Sequence, residues 1–478
     1  VAAASEAQNG APHFESVRLF IKKQIVENQV PSIAVAVARD GQILWEEAFG
    51  WADRENRIAA TEHTMYSLAS ISKPFTATGL MVLKERGRID LDRSINGYLG
   101  DAKLKARVGN VDEATVRRVA NHSAGLPLHY QFFYEDEPHR VPSMDETIIR
   151  YGNLVSPPGE KYEYSNLGYG ILGYVLARAS ERSYAEFMRN DVFLPLGLTH
   201  TSVNIGPGLE KFQAIRYGPD GLPIPFYDFD HPAASAIYSS AHDLVRFGMF
   251  HLKARLPDQK AIISDASIDE MQRTSVISGP DQGYGIGWAI SKRRSGVQGV
   301  SHSGGMGGVA TLLYLIPSHK IAIVALTNTR SAAVFQAAEQ IAAILLEEPA
   351  PTSQPNRPPG DPPVTKPGAE MVGTWKGIVR TYVRDIPFTL QIKEDGGTQA
   401  RLERQLWALV NMTNFQNGVL TGQMAGDIGT EDANRYPYVL RMSLKLRGDV
   451  LGGPISAVST PGKRARNALT YWAELKKE

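Results

Sequence analysis

Apolar positions near the amino terminus follow two different periods. Phe14, Val17, Phe20, Ile21 and Ile25 recur at helical spacing, which predicts a helix over 14–29. Residues 33–39 and 43–49 are short apolar runs of strand length, and Asp40-Gly41 between them is a hairpin signal. Helical and irregular material dominates from 73 to 275. Strands are expected again at 309–315 and 321–328, then a last helix at 331–346. Two early strands, a long helical middle and late strands predict an antiparallel sheet closed by both ends of this region. Helices would cover its faces in an α+β arrangement.

The pattern changes after residue 346. Residues 346–368 are too rich in proline for a helix or a central strand, so they read as an extended linker. Beyond it, strand-like runs recur at 374–382, 388–393, 399–404, 407–415, 418–424, 438–446, 455–459 and 469–475, many of them separated by Gly, Asp or Asn. That spacing predicts a small barrel or sandwich. The expected division is 1–348, a linker at 349–368, and 369–478.

Charge and composition narrow the function. Lys and Arg number 51 and Asp and Glu 50, a net charge of +1, so no nucleic-acid partner is expected. The run Lys292-Arg293-Arg294 reads as solvated surface. The absence of cysteine excludes disulfides, thiolate nucleophiles and cysteine-ligated zinc. No apolar stretch is long enough for a membrane helix. The opening Val-Ala-Ala-Ala-Ser suits the remnant of an exported chain, which favours a periplasmic or secreted location, although a cloning remnant explains it about as well.

Three segments carry candidate chemistry. Ser70-Ile-Ser-Lys73 precedes Pro74 and an apolar run ending near Gly87. Proline is tolerated only in a first helical turn, so a helix should begin close to Ser70, with Ser70 and Lys73 on one face. A buried lysine at a helix start loses proton affinity and can then take the serine proton. Tyr164-Ser165-Asn166 follows Pro157-Pro158-Gly159 and precedes a helical run. It suits either a capping loop or a phenol and an amide for proton relay and carbonyl binding. His302-Ser303-Gly304-Gly305 leads into the strand at 309–315. Its glycines allow close backbone approach, and the Gly305 N–H could join that of Ser70 as an oxyanion hole. The other histidines show no metal-ligand pairing on one helix, so neither metal nor cofactor is expected. Tyr130-Gln-Phe-Phe-Tyr134 suits an apolar acyl pocket or simple loop packing. Glu135-Asp136-Glu137 suits a substrate ammonium or a wet acidic turn.

In their order, S-x-x-K at 70, Y-x-N at 164 and H-x-G at 302 resemble the serine β-lactamase and penicillin-binding protein superfamily. The similarity is to class C β-lactamase-like members, including D-aminopeptidases, D,D-carboxypeptidases and esterases of that fold. Asn121-His-Ser-Ala-Gly-Leu-Pro127, Pro195-Leu-Gly-Leu-Thr199, residues 236–244 and Tyr284-Gly-Ile-Gly-Trp288 add to it, and it spans 14–348. The resemblance implies an antiparallel sheet flanked by helices, with an all-helical region. It implies an acyl-enzyme on Ser70, activated by Lys73. Tyr164 would be acid or base, Asn166 and His302 would complete the site, and the Ser70 and Gly305 N–H groups would hold the oxyanion. Ser303, Gly304 and Tyr130 would contact substrate. Whether Lys73 or Tyr164 is the working base stays open. The family's third motif usually carries lysine (K-T-G); histidine here weakens carboxylate binding and looks like the D-aminopeptidases. Gly373-Thr374-Trp375 resembles the G-x-W opening of lipocalins, with Trp375 plugging a small barrel. The expected function is therefore a serine peptidase or amidase on small D-amino-acid-containing peptides. A carboxylesterase, or a non-hydrolytic penicillin-binding or ligand-binding protein, is the alternative. The expected partner is a small peptide or ester, with a homo-oligomer left open.

Overall fold

The computed structural model describes residues 13–349, 365–460, 462, 464 and 467–478. The stretch 1–5 and most of 349–368 lie outside these residues. The chain groups into two compact units. The first takes Val1–Asp90, Leu172–Phe226 and Pro232–Ser353; the second takes Leu91–Ile171, Tyr227–His231 and Gln354–Glu478.

The first unit is built on a nine-stranded sheet. In spatial order its strands are Val276–Gly279, Gln282–Tyr284, Ala289–Lys292, Gln298–Met306, Val309–Ile316, Ile321–Thr327, Ser32–Arg39, Gln42–Asp53 and Ile58–Ala59, all antiparallel. Early and late strands meet at its centre, with Ile33 opposite Thr327. Ser32–Arg39 is buried on both faces up to Arg39, which explains its unbroken apolar run. Ile33, Val35 and Val37 pack with Val17 and Ile21 of helix Glu15–Glu27 and with Ala337 and Ile341 of helix Ala333–Leu346. Small side chains serve the other face. A Cβ at Gly248, in helix Ala241–His251, would lie 3.0 Å from that of Ala322, so the glycine lets this helix sit close to the sheet. Arg293 corrects one expectation. Its guanidinium is largely covered and pairs with Glu339 and Glu348, which raise its pKa, so it is not a freely solvated charge.

The second unit contains a nearly closed nine-stranded barrel. Its sheet runs from Ala408–Leu409 through Thr398–Leu402, Asp385–Ile392, Gly373–Arg380, Ala468–Lys477, Val450–Ser459, Tyr438–Arg447 and Val419–Met424 to Asn411–Gln416. Alternation fills the interior: Ile386, Phe388, Leu390 and Ile392 are buried and Asp385 and Pro387 are exposed. Trp375 is buried, with its indole N–H donating to the Met371 carbonyl at 2.8 Å. The run at 407–415 is two strands, not one. The break falls at Val410, and the φ of 54° at Met412 marks an irregularity within the second strand, where pairing shifts register between Asn411 and Asn414. Among the described residues no helix is long and apolar enough to cross a membrane.

Candidate active site

Ser70 lies in a single 3-10 turn, Ala69–Ile71, and the α-helix proper is Ser72–Glu85. Pro74 occupies the first helical turn, as its missing N–H requires. Gly87 ends the helix at φ 70°, with Gly87 N–H donating to the Lys84 carbonyl and Arg88 N–H to that of Leu83. Ala69 takes a left-handed φ of 49°, a strained conformation for a residue with a Cβ, directly before the serine. The turn is fixed by its surroundings. Leu68 N–H donates to Ile237 O at 2.9 Å, and Leu68 O accepts from Thr311 Oγ1 at 2.9 Å.

Lys73 is fully buried, and its Nζ stands 3.0 Å from Ser70 Oγ and 3.2 Å from the Ala234 carbonyl. Burial holds its pKa well below the usual lysine value. Ser70 itself is only half-buried. The pair can therefore hold a neutral amine against a hydroxyl that solvent or substrate can reach.

The glycine-rich segment was expected to lead into the strand at 309–315. It is part of strand Gln298–Met306. Pairing with Ala289–Lys292 ends at Ser301, whereas pairing with Val309–Ile316 continues to Met306. One edge of 302–306 thus has no strand partner among the described residues. A Cβ at Gly304 would fall 2.0 Å from Leu68 O, so only glycine lets this strand lie against the Ser70 turn. A Cβ at Gly305 would meet nothing within 4 Å. Ser303 and Gly305 are exposed. His302 is 6% exposed. Its Nδ1–H donates to Ser303 O (2.8 Å), and its Nε2 accepts from Tyr284 OH (3.0 Å). Burial first, and then any positive charge on the nearby Lys73, pushes its pKa down to about 3, so it is neutral at pH 7.

The remaining predicted residues belong to the second unit. Tyr164 is half-buried, and its ring centroid lies 4.4 Å from that of His122. Ser165 N–H donates to His122 Nδ1 at 3.1 Å, and Ser165 Oγ caps helix Asn166–Ser180 through Gly168 N–H. Asn166 Nδ2 donates to His129 O at 3.0 Å. The string 121–127 forms the bed of this loop. His122 O accepts from Glu163 N–H at 2.7 Å, and Ser123 O from Gly159 N–H at 2.7 Å. Tyr130 is half-buried, and Phe132–Tyr134 is a buried strand paired with Tyr227–Phe229, so the aromatics pack the loop. Residues 135–136 form an exposed turn, as the wet-turn reading has it, with Asp136 paired to Arg464 and the half-buried Glu137 to Arg435.

One cluster escaped the sequence. His129 and His231 each bond the Asp230 carboxylate at 2.6 Å, all three buried. The separation of 101 positions between His129 and Asp230 hides the contact from any local pattern. Only the adjacency of Asp230 and His231 hinted at it.

A layered α+β sheet, with a serine and a buried lysine at the mouth of a core helix, defines a β-lactamase-type fold. The Beta-lactamase family profile matches residues 17–348, and the chain belongs to that family. It is a hydrolase of the serine β-lactamase and penicillin-binding protein kind. It is 27% identical over 340 residues to Penicillin-binding protein 4* of Bacillus subtilis strain 168, covering 64% of this chain and 71% of that protein. It is 27% identical over 357 residues to a Beta-lactamase of Providencia stuartii, covering 67% and 90%. It spans 65% of the length of Protein flp of Staphylococcus aureus. An octameric penicillin-binding protein homologue from Pyrococcus abyssi shares the fold, with a TM-score of 0.63 and 22% identity over 95% of this chain and 99% of that one.

Proposed function

We propose that the protein is a serine peptidase or amidase on small D-amino-acid-containing peptides, working through an acyl-enzyme on Ser70. The observation that carries this is the 3.0 Å approach of Ser70 Oγ to a fully buried Lys73 amine. In this reading neutral Lys73 takes the Ser70 proton while the oxygen attacks the scissile carbonyl. The backbone N–H groups of Ser70 and Gly305 hold the oxyanion, an electrostatic contribution that exceeds most others in acyl transfer. Tyr164 exchanges protons with the leaving amine, and Asn166 orients a substrate amide. Water then releases the acyl group and returns the Ser70 proton. The unpartnered edge at 302–306 supports a peptide substrate, because an extended chain can add there as a further strand through Ser303 and Gly304. Residues 1–348 would carry this chemistry, 349–368 would tether, and 369–478 would be an accessory barrel.

The second reading is a carboxylesterase. Neutral His302 favours it, since no cation stands at that position to hold a substrate carboxylate. Turnover of D-alanyl amides beside p-nitrophenyl esters decides between them. The peptidase reading predicts both; an ester-only profile overturns it. Self-association is also proposed, through the exposed apolar residues Leu406, Leu409 and Met412. Light scattering should show an oligomer that Leu406→Glu dissociates. A wild-type monomer would remove this proposal.

A further inference from the structure

Within the second unit the barrel grips a short loop, 128–134, and the same loop holds Asn166. Thr470 Oγ1 donates to Leu128 O at 3.3 Å. Tyr130 and Ala468 exchange both backbone hydrogen bonds, at 3.2 and 2.8 Å. Phe132 N–H donates to Asn467 Oδ1 at 3.1 Å, and Phe132 O accepts from Arg435 Nη2 at 2.8 Å. Between these contacts stands the His129 carbonyl, which accepts the Asn166 amide. The loop is also held along its other edge. Phe132–Tyr134 pairs with Tyr227–Phe229, and Asp230 ties the His129 ring to that of His231.

The barrel side of this grip is itself anchored. Asp432 is buried and accepts from Tyr151 OH (2.7 Å), Arg150 Nη1 (3.0 Å) and Tyr382 OH (3.1 Å). Asn467 Nδ2 donates to Asp432 O at 3.3 Å. Asn467 thus joins the anchored segment to the loop with one side chain. The Asn166 amide points where the His129 carbonyl allows, and that carbonyl sits where the barrel keeps 128–132.

We infer that the barrel is a positioning element of the substrate site, with Asn467 its principal residue. It sets the direction of the Asn166 amide and the place of Tyr130 by fixing 128–134. The inference rests on the reading that Asn166 and Tyr130 contact substrate. It gives the barrel a role for substrates carrying an amide that reaches Asn166. It gives none for a small acetyl ester, which needs only Ser70, Lys73 and backbone donors.

The test uses the full chain as wild type, Asn467→Ala and Asn467→Asp, assayed on D-alanyl p-nitroanilide and p-nitrophenyl acetate. A displacement of about 1 Å in a positioning group can cost roughly 100-fold. Asn467→Ala should therefore lower kcat/KM on the amide by about 10–100-fold and leave acetate turnover within roughly twofold. Asn467→Asp keeps the acceptor for Phe132 N–H but loses the donor to Asp432 O, so it should restore only part of the amide activity. Equal losses on both substrates, or amide turnover untouched by Asn467→Ala, would overturn the inference. A wild type inactive on the amide refutes the peptidase reading separately. The positioning claim is then read on N-acetyl-D-alanyl against acetyl p-nitrophenyl esters, with the same difference expected and the same two results contradicting it.

Discussion

Both units contain a nine-stranded antiparallel sheet, and the two treat their edges in opposite ways. In the first unit, strand Gln298–Met306 loses one neighbour at Ser301 and keeps the other to Met306, leaving an open edge beside the Ser70 turn. In the second, the outermost strands, Ala408–Leu409 and Asn411–Gln416, are chain neighbours, so the sheet is nearly a ring. Unpaired edges invite aggregation, and proteins usually cover or close them. An open edge with Gly304 and Gly305 on it is therefore informative: under the proposed function it is kept for a substrate backbone to complete. The barrel gives up that option, and its outer wall and loops hold other segments instead. Fold and function diverge at the edge rather than in strand number.

The comparison can be broken by substitution, beginning where the effect is largest. Ser70→Ala should lower kcat by about 10⁴-fold or more, with an unchanged melting temperature. A variant that kept its activity would strip the open edge of its purpose. Lys73→Met should be comparably inactive yet more stable, because the folded chain no longer buries an amine. The sign follows from linkage. The folded pKa is depressed, so between it and about 10.4 the unfolded chain binds the extra proton, and the wild type loses stability as pH falls through that window. The stabilisation by Lys73→Met, measured by urea unfolding, should therefore shrink as pH rises towards the unfolded value. Trp375→Ala tests the closed sheet and should cost about 3–5 kcal/mol of barrel stability.

Smaller effects sharpen the contrast at the open edge. Gly304→Ala drives a Cβ against Leu68 O and should lower kcat/KM by about 10–100-fold on every substrate. Gly305→Ala meets open space and should leave stability within about 0.5 kcal/mol. If the two alanines behaved alike, the close approach at Gly304 would not be what glycine is there for. His302 adds an acid limb to the unfolding curve. Its folded pKa is about 3, so stability is lost as pH falls from about 6.5 towards 3, and His302→Gln should flatten that limb.

Much of the sheet was legible because its strands are buried on both faces and uniformly apolar, as at 33–39 and 321–327. The core helix was legible because proline and glycine mark its ends at Pro74 and Gly87. The strand at 298–306, whose second half has the open edge, was not. Its glycines have low strand propensity, and they are present to let backbone meet backbone, a tertiary reason that no local pattern carries. The acidic turn 135–137 was legible as an exposed turn and Lys292 and Arg294 as exposed charges, but the ion pairs of Asp136, Glu137 and Arg293 were not. Charges distant in sequence pair with them, Arg464 and Arg435 in one case and Glu339 and Glu348 in the other. The His129–Asp230–His231 cluster was hidden in the same way. Ser70 and Lys73 stood out because three residues bring them onto one turn. The grip of the barrel on 128–134 runs mostly through backbone groups, which sequence identity does not mark.

The most direct measurement is peptide mapping by mass spectrometry after incubation with a fluorophosphonate, for wild type and Ser70→Ala at neutral pH. The account predicts one stoichiometric adduct on Ser70 in the wild type and none in the variant. An adduct on another residue, or an unmodified and still active enzyme, would contradict it.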